Sequence, residues 1–254
     1  MTDFRAGTQA IIFDMDGVIV DSEPLHELAF REIFAVMGYG ETHGMDFVQY
    51  YGKSDRALWA DFVAKHNPPQ PLEELLAWKE RHFLGILRER EPIFDPVPPL
   101  IETLAGRWPL AVASGSMHPV IDAVLAMRGL RRCFSAVVSV QDVGRGKPAP
   151  DVFLRAAELL GRPPAACVVL EDSAAGVTAA KAAGMRVIAI TNTLPAGQLA
   201  HADAVVGRYA EVEALLVGGP QAWHPGQHGE APPPAGHGVS AKRWPRRSSA
   251  GWSP

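Results

Sequence analysis

The 254-residue sequence contains only two cysteines, Cys133 and Cys167. Two cysteines cannot form the disulfide framework of a small secreted domain, so we expect a reducing, cytoplasmic location. The sequence also lacks an apolar run of about 18 residues, the length that a membrane-spanning helix needs. Its short polar N-terminus does not have the pattern of a signal peptide. These absences predict a protein without a membrane partner.

Strong net charge is missing as well. The formal net charge is −4 at pH 7, which gives no basis for a nucleic-acid partner. With 47% hydrophobic residues and a mean hydropathy near zero, the chain can bury a sizeable core. Residues 219–254 differ from the rest, because they are rich in Pro, Gly, His and Ser and have no hydrophobic period. This composition predicts a disordered tail.

The apolar run at residues 10–13 ends abruptly at Asp14, and Asp16 and Gly17 follow almost at once. A continuous apolar run predicts a strand buried on both faces, as in a parallel sheet. Carboxylates just past such a strand lie at its carboxyl end, where open α/β sheets bind ligands. Because two close carboxylates repel each other, the pattern favours a nearby positive charge, and a divalent metal ion fits oxygen ligands. A polar turn that merely ends the strand is the alternative.

Helical periodicity fills most of residues 19–93, where no second strand is predicted. We therefore predict an all-helical domain of residues 19–93 inserted after the first strand. From residue 98 onward helices and strands alternate, which predicts a doubly wound parallel sheet in an α/β, Rossmann-like core built from residues 1–18 and 94–218. Five further strands are expected near residues 109–114, 136–139, 166–170, 186–190 and 204–206.

Three more polar signals stand at or near the ends of predicted elements. Ser114 and Gly115 end the second strand, Lys147 lies between glycine and proline just before a helix, and Glu171 and Asp172 end the fourth strand. Small residues with exposed backbone N–H groups suit an anion, and adjacent carboxylates suit a metal ion. Together with the first acidic pair, this set matches the needs of phosphoryl transfer through a carboxylate nucleophile.

The chain resembles the haloacid dehalogenase-like phosphotransferases, and it looks closest to the branch that holds β-phosphoglucomutase and small sugar-phosphate phosphatases. The resemblance covers about residues 9–215 and rests on four motifs in the family's order. These motifs are Phe-Asp-Met-Asp-Gly-Val (13–18), Ala-Ser-Gly-Ser (113–116), Gly-Lys-Pro-Ala-Pro-Asp (146–151) and Leu-Glu-Asp-Ser-Ala-Ala-Gly (170–176). The helical insertion corresponds to the family's cap domain.

The resemblance implies a role for each matching residue. Asp14 matches the nucleophile and Asp16 the general acid/base, and an acid at position 16 favours a phosphatase or mutase over a dehalogenase. The side chains of Asp14 and Asp172 and the backbone carbonyl of Asp16 match the family's Mg²⁺ ligands. Glu171 matches a carboxylate that supports the metal ion. Ser114, Gly115 and Lys147 match the family's phosphate-binding residues. The expected partner is a small phosphorylated metabolite, and the expected oligomeric state is a monomer.

The cap is expected to select the substrate through His26, Lys79 and the loop around Gly52. A surface histidine and a solvent-facing lysine are the alternatives for the first two. β-Phosphoglucomutase has an arginine three residues after the loop glycine, where this chain has Asp55, followed by Arg56. This difference favours a Mg²⁺-dependent phosphatase over a mutase, although a shift of one residue would place Arg56 there. A binding protein without activity on the same fold is a further alternative.

Overall fold

A computed structural model describes residues 2–50 and 54–218, and a six-stranded parallel sheet lies at its centre. The strands are β1 (Ala10–Phe13), β2 (Leu110–Ser114), β3 (Ala136–Ser139), β4 (Cys167–Glu171), β5 (Arg186–Ile190) and β6 (Ala204–Val206). Their spatial order is β3-β2-β1-β4-β5-β6. The chain therefore builds one half of the sheet outward from β1, then returns to build the other half from β4. The predicted doubly wound α/β fold is confirmed.

Eight α-helices accompany the sheet among the described residues. They are α1 (Glu23–Val36), α2 (Asp55–His66), α3 (Leu72–Arg90), α4 (Val97–Ala105), α5 (His118–Ala126), α6 (Asp151–Leu159), α7 (Ala174–Ala182) and α8 (Tyr209–Leu216). Short 3₁₀ segments occur at Gly40–Thr42, Phe47–Tyr50, Met127–Cys133, Val140–Asp142, Pro164–Ala166 and Ala196–Leu199. The observed strands begin and end within one residue of the predicted ones.

The two faces of the sheet are covered by separate hydrophobic clusters. In β1, Ile11 and Phe13 join the cluster on one face, while Ala10 and Ile12 join the cluster on the other. This alternation follows from the two-residue period of a strand. Since both faces are covered, β1 is wholly apolar and buried, as its sequence predicts.

Helices α1, α2 and α3 form a layer with a hydrophobic cluster of its own. Phe30, Phe34, Trp59 and Phe62 lie at the centre of this cluster. The predicted boundaries of the inserted domain, at residues 19 and 93, remain a prediction, and the predicted tail at 219–254 lies outside the described residues.

The two segments that connect this helical layer to the sheet run side by side. Val20 and Ile93 form an antiparallel bridge, and the backbone N–H of Asp21 donates to the Pro92 carbonyl at 2.9 Å. The N–H of Phe94 in turn donates to the Ile19 carbonyl at 3.2 Å. We call this pair of segments the paired linker. Within the described part of the chain, none of the helices has the length and apolar character needed to cross a membrane.

Candidate active site

The site lies at the carboxyl ends of β1 and β4, the two neighbouring strands at which the sheet order reverses. Open α/β sheets bind ligands at this switch point. The backbone N–H of Asp14 donates to the Leu170 carbonyl at 2.9 Å, which continues the strand pairing by one residue. Asp14 is therefore held directly beside Glu171 and Asp172.

Asp14, Glu171 and Asp172 form a buried acidic cluster, in which one carboxylate oxygen from each lies within 4.8 Å of the others. Two glycines make room for it. A Cβ atom at Gly17, which has a φ of +73°, would overlap the Asp172 carboxylate, and one at Gly176 would overlap Glu171. Because the donors are all carboxylate oxygens, this cluster fits a hard divalent cation.

Lys147 is the cation that the chain itself supplies to this cluster. Its Nζ atom lies 2.8 Å from Asp14 Oδ1 and 2.6 Å from Glu171 Oε1. Burial alone would lower the pKa of Lys147, but the two carboxylates outweigh it and raise the pKa. Lys147 is therefore a fixed positive charge next to Asp14.

The three carboxylates differ in how well their charge is compensated. Burial raises the pKa of Glu171, but Lys147 and the backbone N–H groups of Asp172 and Ser173, each at 2.8 Å, outweigh it and leave the pKa low. The pKa of Asp14 and that of Asp172 are raised well above their ordinary value, by burial first and then by the neighbouring carboxylates. One ammonium group is thus too little positive charge for three buried acids, which favours a bound cation.

Asp16 lies outside this cluster, because its carboxylate points toward serine hydroxyls. Ser22 Oγ donates to Asp16 Oδ1 at 2.6 Å, and Ser116 Oγ donates to Oδ2 at 2.7 Å. Ser114 Oγ lies 3.4 Å from the same Oδ2. The predicted metal ligand at this residue is its backbone carbonyl, which remains a prediction. The structure thus separates the two aspartates of the first motif into different surroundings.

Sequence reasoning missed several of these contacts. Ser22 fits an N-cap position, but its hydroxyl makes no cap to α1 and contacts Asp16 instead. Ser116 belongs to the second motif without a predicted role of its own, yet its hydroxyl also contacts Asp16. Gly115, between the two serines, is exposed, and a Cβ atom there would meet no atom of the described chain within 4 Å. Gly115 lies directly after β2, where the sequence predicts an anion-binding turn. Its role in binding an anion stays a prediction.

A second set of unpredicted contacts comes from the segment after β5. Thr193 Oγ1 donates to Asp172 Oδ2. Asn192 Nδ2 donates to the Gly17 carbonyl at 2.7 Å and to Tyr209 Oη at 2.8 Å. Tyr209 Oη donates to the Val18 carbonyl at 2.8 Å. These bonds hold the turn that follows Asp16. The available signal in the sequence was that β4 and β5 are neighbours, which brings the segment after β5 close to Asp172.

Two of the predicted cap residues, His26 and Lys79, contact each other in the helical layer. Lys79 is 1% exposed, so the alternative of a solvent-facing lysine is wrong. Its Nζ atom contacts His26 Nδ1 and lies 2.7 Å from Asp55 Oδ2. Arg56 points elsewhere and pairs with Glu73 at 2.8 Å. Gly52 lies outside the described residues.

The sequence of residues 8–184 matches the family model for haloacid dehalogenase-like hydrolases. The chain belongs to this family and is a hydrolase of its type, which confirms the family and the enzyme class predicted from the four motifs.

Two curated relatives and one solved structure illustrate the likeness. The chain is 37% identical to fructose-1-phosphate phosphatase YqaB of Escherichia coli K12, over 69% of this chain and 92% of that protein. It is 32% identical to hexitol phosphatase B of the same organism, over 71% and 82%. The crystal structure of CbbY from Rhodobacter sphaeroides in complex with phosphate superposes with a TM-score of 0.70 at 29% identity, over 81% and 96%.

Proposed function

We propose that the protein is a Mg²⁺-dependent phosphatase that hydrolyses small phosphorylated metabolites, such as sugar or polyol phosphates, through an aspartyl-phosphate. The observation that carries this proposal is the separation of Asp14 from Asp16. Asp14 lies in the acidic cluster against Lys147, while Asp16 lies beside it among serine hydroxyls. These different surroundings support a role for Asp14 as the nucleophile and a role for Asp16 as the group that transfers the proton. The similarity to enzymes named as sugar and hexitol phosphatases supports the same reaction.

In the first step, a carboxylate oxygen of Asp14 attacks the phosphorus atom. The bond from phosphorus to the substrate's ester oxygen breaks, and protonated Asp16 gives its proton to that oxygen. The products of this step are phospho-Asp14 and a free alcohol. Ser114, the Gly115 backbone N–H and Lys147 would hold the phosphoryl oxygens in line for the attack.

In the second step, water attacks the phosphorus atom of phospho-Asp14. Asp16, now a carboxylate, takes a proton from this water, and the bond from phosphorus to Asp14 breaks. Inorganic phosphate leaves, and both aspartates return to their starting states. The serine hydroxyls that contact both oxygens of Asp16 would keep its carboxylate oriented in both steps.

The side chains of Asp14 and Asp172 in the acidic cluster would hold the Mg²⁺ ion, together with the backbone carbonyl of Asp16. Glu171, whose oxygens contact Lys147 and backbone N–H groups, would support the bound ion with its negative charge. When bound, the ion supplies positive charge that offsets the repulsion between Asp14 and the phosphate.

The helical layer would cover the substrate, with His26, Lys79 and Gly52 on the side of its alcohol part. Closure about the paired linker would exclude water from the first step, and reopening would admit it to the second. Equal small-angle scattering profiles with and without a phosphate analogue would contradict this motion. We further propose that the protein is a monomer in the cytoplasm and that its partner is a small phosphorylated metabolite.

The decisive experiment measures phosphate release from a panel of sugar, polyol and glycolate phosphates, with Mg²⁺ and with EDTA. Metal-dependent release would support the phosphatase and rank its substrates. A parallel assay supplies β-glucose 1-phosphate with a trace of glucose 1,6-bisphosphate and follows glucose 6-phosphate. Isomerisation that depends on the bisphosphate primer and releases little free phosphate would contradict the phosphatase proposal and indicate a mutase.

A further inference from the structure

Asn192 and Thr193 follow β5 and form side-chain hydrogen bonds at the carboxyl edge of the sheet. Thr193 Oγ1 donates to Asp172 Oδ2, and Asn192 Nδ2 donates to the Gly17 carbonyl at 2.7 Å. Because β4 lies between β1 and β5 in the sheet, this segment reaches over the end of β4 to the turn that follows β1. We call Asn192 and Thr193 the β5 bracket.

Thr193 fixes the direction of the Asp172 carboxylate. Its hydroxyl is bonded to one oxygen of that carboxylate, which leaves the other oxygen for a cation. Asp172 is buried, with 3% of its surface exposed. A Cβ atom at Gly17 would overlap both Asp172 Oδ2 and Thr193 Oγ1, so the turn after Asp16 packs directly against this pair. The carboxylate therefore has little room to rotate away.

Asn192 acts on the backbone next to Asp16. Gly17 joins two peptide planes, and each plane is rigid. The first plane contains the Asp16 carbonyl and the Gly17 N–H, which donates to the Val20 carbonyl at 2.8 Å. The second plane contains the Gly17 carbonyl, which accepts from Asn192 Nδ2. Since both planes are held, the Asp16 carbonyl keeps one direction relative to the sheet.

Tyr209 in turn holds the Asn192 amide. Its hydroxyl accepts from Asn192 Nδ2 and donates to the Val18 carbonyl, each at 2.8 Å. Tyr209 is buried, so water competes little for these bonds. The β5 bracket is thus supported from α8, which follows the last strand of the sheet and is not part of the helical layer.

We propose that Asn192 and Thr193 are positioning residues for the divalent cation, and that they favour Mg²⁺ over Ca²⁺ by fixing the Asp172 carboxylate relative to the Asp16 carbonyl. Mg²⁺ needs near-ideal octahedral ligands at about 2.0–2.1 Å, whereas Ca²⁺ accepts flexible ligand sets at about 2.3–2.6 Å. Loss of these restraints should therefore weaken the binding of Mg²⁺ more than that of Ca²⁺. This inference rests on the proposed function, because that proposal assigns the ligand roles of Asp16 and Asp172.

Thermal unfolding of the full chain at rising concentrations of Mg²⁺ or Ca²⁺ gives a Kd for each ion without substrate. The selectivity is the ratio of the Kd for Ca²⁺ to the Kd for Mg²⁺. Thr193→Val removes the hydroxyl at nearly constant shape and should lower this ratio at least about 10-fold, because outer partners of metal ligands strongly affect metal affinity. Asn192→Ala removes the donor to the Gly17 carbonyl and should lower the ratio at least about 3-fold.

Two further variants separate the hydroxyl from its surroundings. Thr193→Ser keeps the hydroxyl and should keep the ratio within about threefold of the wild type. Thr191→Val is the matched control, because it makes the same change where the described contacts include no bond from the hydroxyl to Asp172 or Gly17. Its ratio should stay within about twofold of the wild type.

Structural damage would lower the Tm measured without either ion, but it would not by itself change the ratio of two Kd values. An unchanged ratio in Thr193→Val would overturn the inference. The same holds for a ratio in Thr193→Ser as low as that in Thr193→Val, for an equal fall in Thr191→Val, and for a wild type that binds neither ion.

Phosphate release separates this inference from the proposed function. If the selectivity depends on Thr193 but the wild type releases no phosphate from any ester, the proposed function fails and the role of the β5 bracket is supported. If the wild type releases phosphate with Mg²⁺ and the ratio is the same in all variants, the role of the β5 bracket alone is rejected.

Discussion

The hydroxyl of Ser22 donates a hydrogen bond to the carboxylate of Asp16 at 2.6 Å. Ser22 directly precedes the first helix of the insertion, whereas Asp16 belongs to the turn that leaves β1. This single bond therefore joins the helical layer to the proposed acid/base, and it crosses the paired linker.

Ser22→Ala should lower kcat by about 10-fold with little change in KM, because a hydrogen bond to a charged group contributes about 1.5–3 kcal/mol to its orientation. Steady-state phosphate release with the best substrate of the panel measures this. Ser135→Ala, an exposed serine at the opposite end of the sheet, is the control. Equal activity of Ser22→Ala and the wild type would show that Asp16 does not need this donor.

Asp14→Asn should reduce turnover by at least about 10³-fold, because an amide cannot replace the carboxylate nucleophile. The fold should persist, since Lys147 keeps its contact with Glu171. Phosphate release measures the first effect, and circular dichroism with thermal unfolding measures the second. Activity within tenfold of the wild type would refute the aspartyl-phosphate route.

Addition of Mg²⁺ should raise the Tm of the wild-type protein relative to EDTA. At 100 times its Kd, a bound ion contributes about 2.7 kcal/mol, which corresponds to roughly 5–10 °C for a chain of this size. Asp172→Asn removes one of the clustered carboxylates and should at least halve the shift. The exposed Asp122 serves as control through Asp122→Asn. An identical shift in Asp172→Asn would remove that residue from the proposed metal site.

Asp55 should make the stability of the protein depend on pH in the acid range. Burial would raise its pKa, but Lys79 and His26 outweigh it and hold the pKa below the ordinary value of 3.8. A depressed pKa in the folded state stabilises the protein above the unfolded-state pKa, and this contribution disappears as the pH falls toward the folded-state value. The Tm difference between wild type and Asp55→Asn should therefore be constant from about pH 5 to about pH 8 and should shrink below about pH 4.

Thermal unfolding from about pH 3 to 8 checks this, over the range in which both proteins stay folded. Asp61→Asn should show no comparable trend, because no buried ammonium pairs with Asp61 in the described contacts. A Tm difference that grows as the pH falls would contradict the sign of the effect.

Tyr209→Phe should lower the free energy of unfolding by about 1–2 kcal/mol, because it removes the hydroxyl that donates to the buried Val18 carbonyl and one of the two acceptors of Asn192 Nδ2. Urea unfolding at equilibrium measures the change. Tyr39→Phe is the control, since the Tyr39 ring packs on Phe62 within the helical layer, away from this network. A loss below about 0.3 kcal/mol would show that the network does not stabilise the fold.

The strand-end carboxylates were predictable because the carboxyl ends of neighbouring parallel strands meet at one edge of the sheet. This rule alone is enough to predict that Asp14, Glu171 and Asp172 lie together. The partners of Asp16 were not predictable in the same way, because the direction of a serine hydroxyl depends on the turn that carries it. Ser22 shows this well, since its position suits a helix cap and its hydroxyl bonds elsewhere.

The burial of Lys79 was harder still to infer from sequence. A lysine on an amphipathic helix is ordinarily solvated, and its partner Asp55 lies on a different helix, 24 residues earlier in the sequence. Helical spacing indicates which residues of one helix share a face, but it does not indicate which helices meet. Only the packing of α1, α2 and α3 brings His26, Asp55 and Lys79 together.

The position of the helical layer in the chain has an evolutionary consequence. The residues proposed for phosphoryl transfer come from the loops at strand ends, whereas α1, α2 and α3 form one continuous insertion between β1 and α4. Under the proposed function, mutations in this insertion would alter which ester is accepted while the chemical machinery is inherited unchanged. A lineage would then acquire new substrates by drift in three helices.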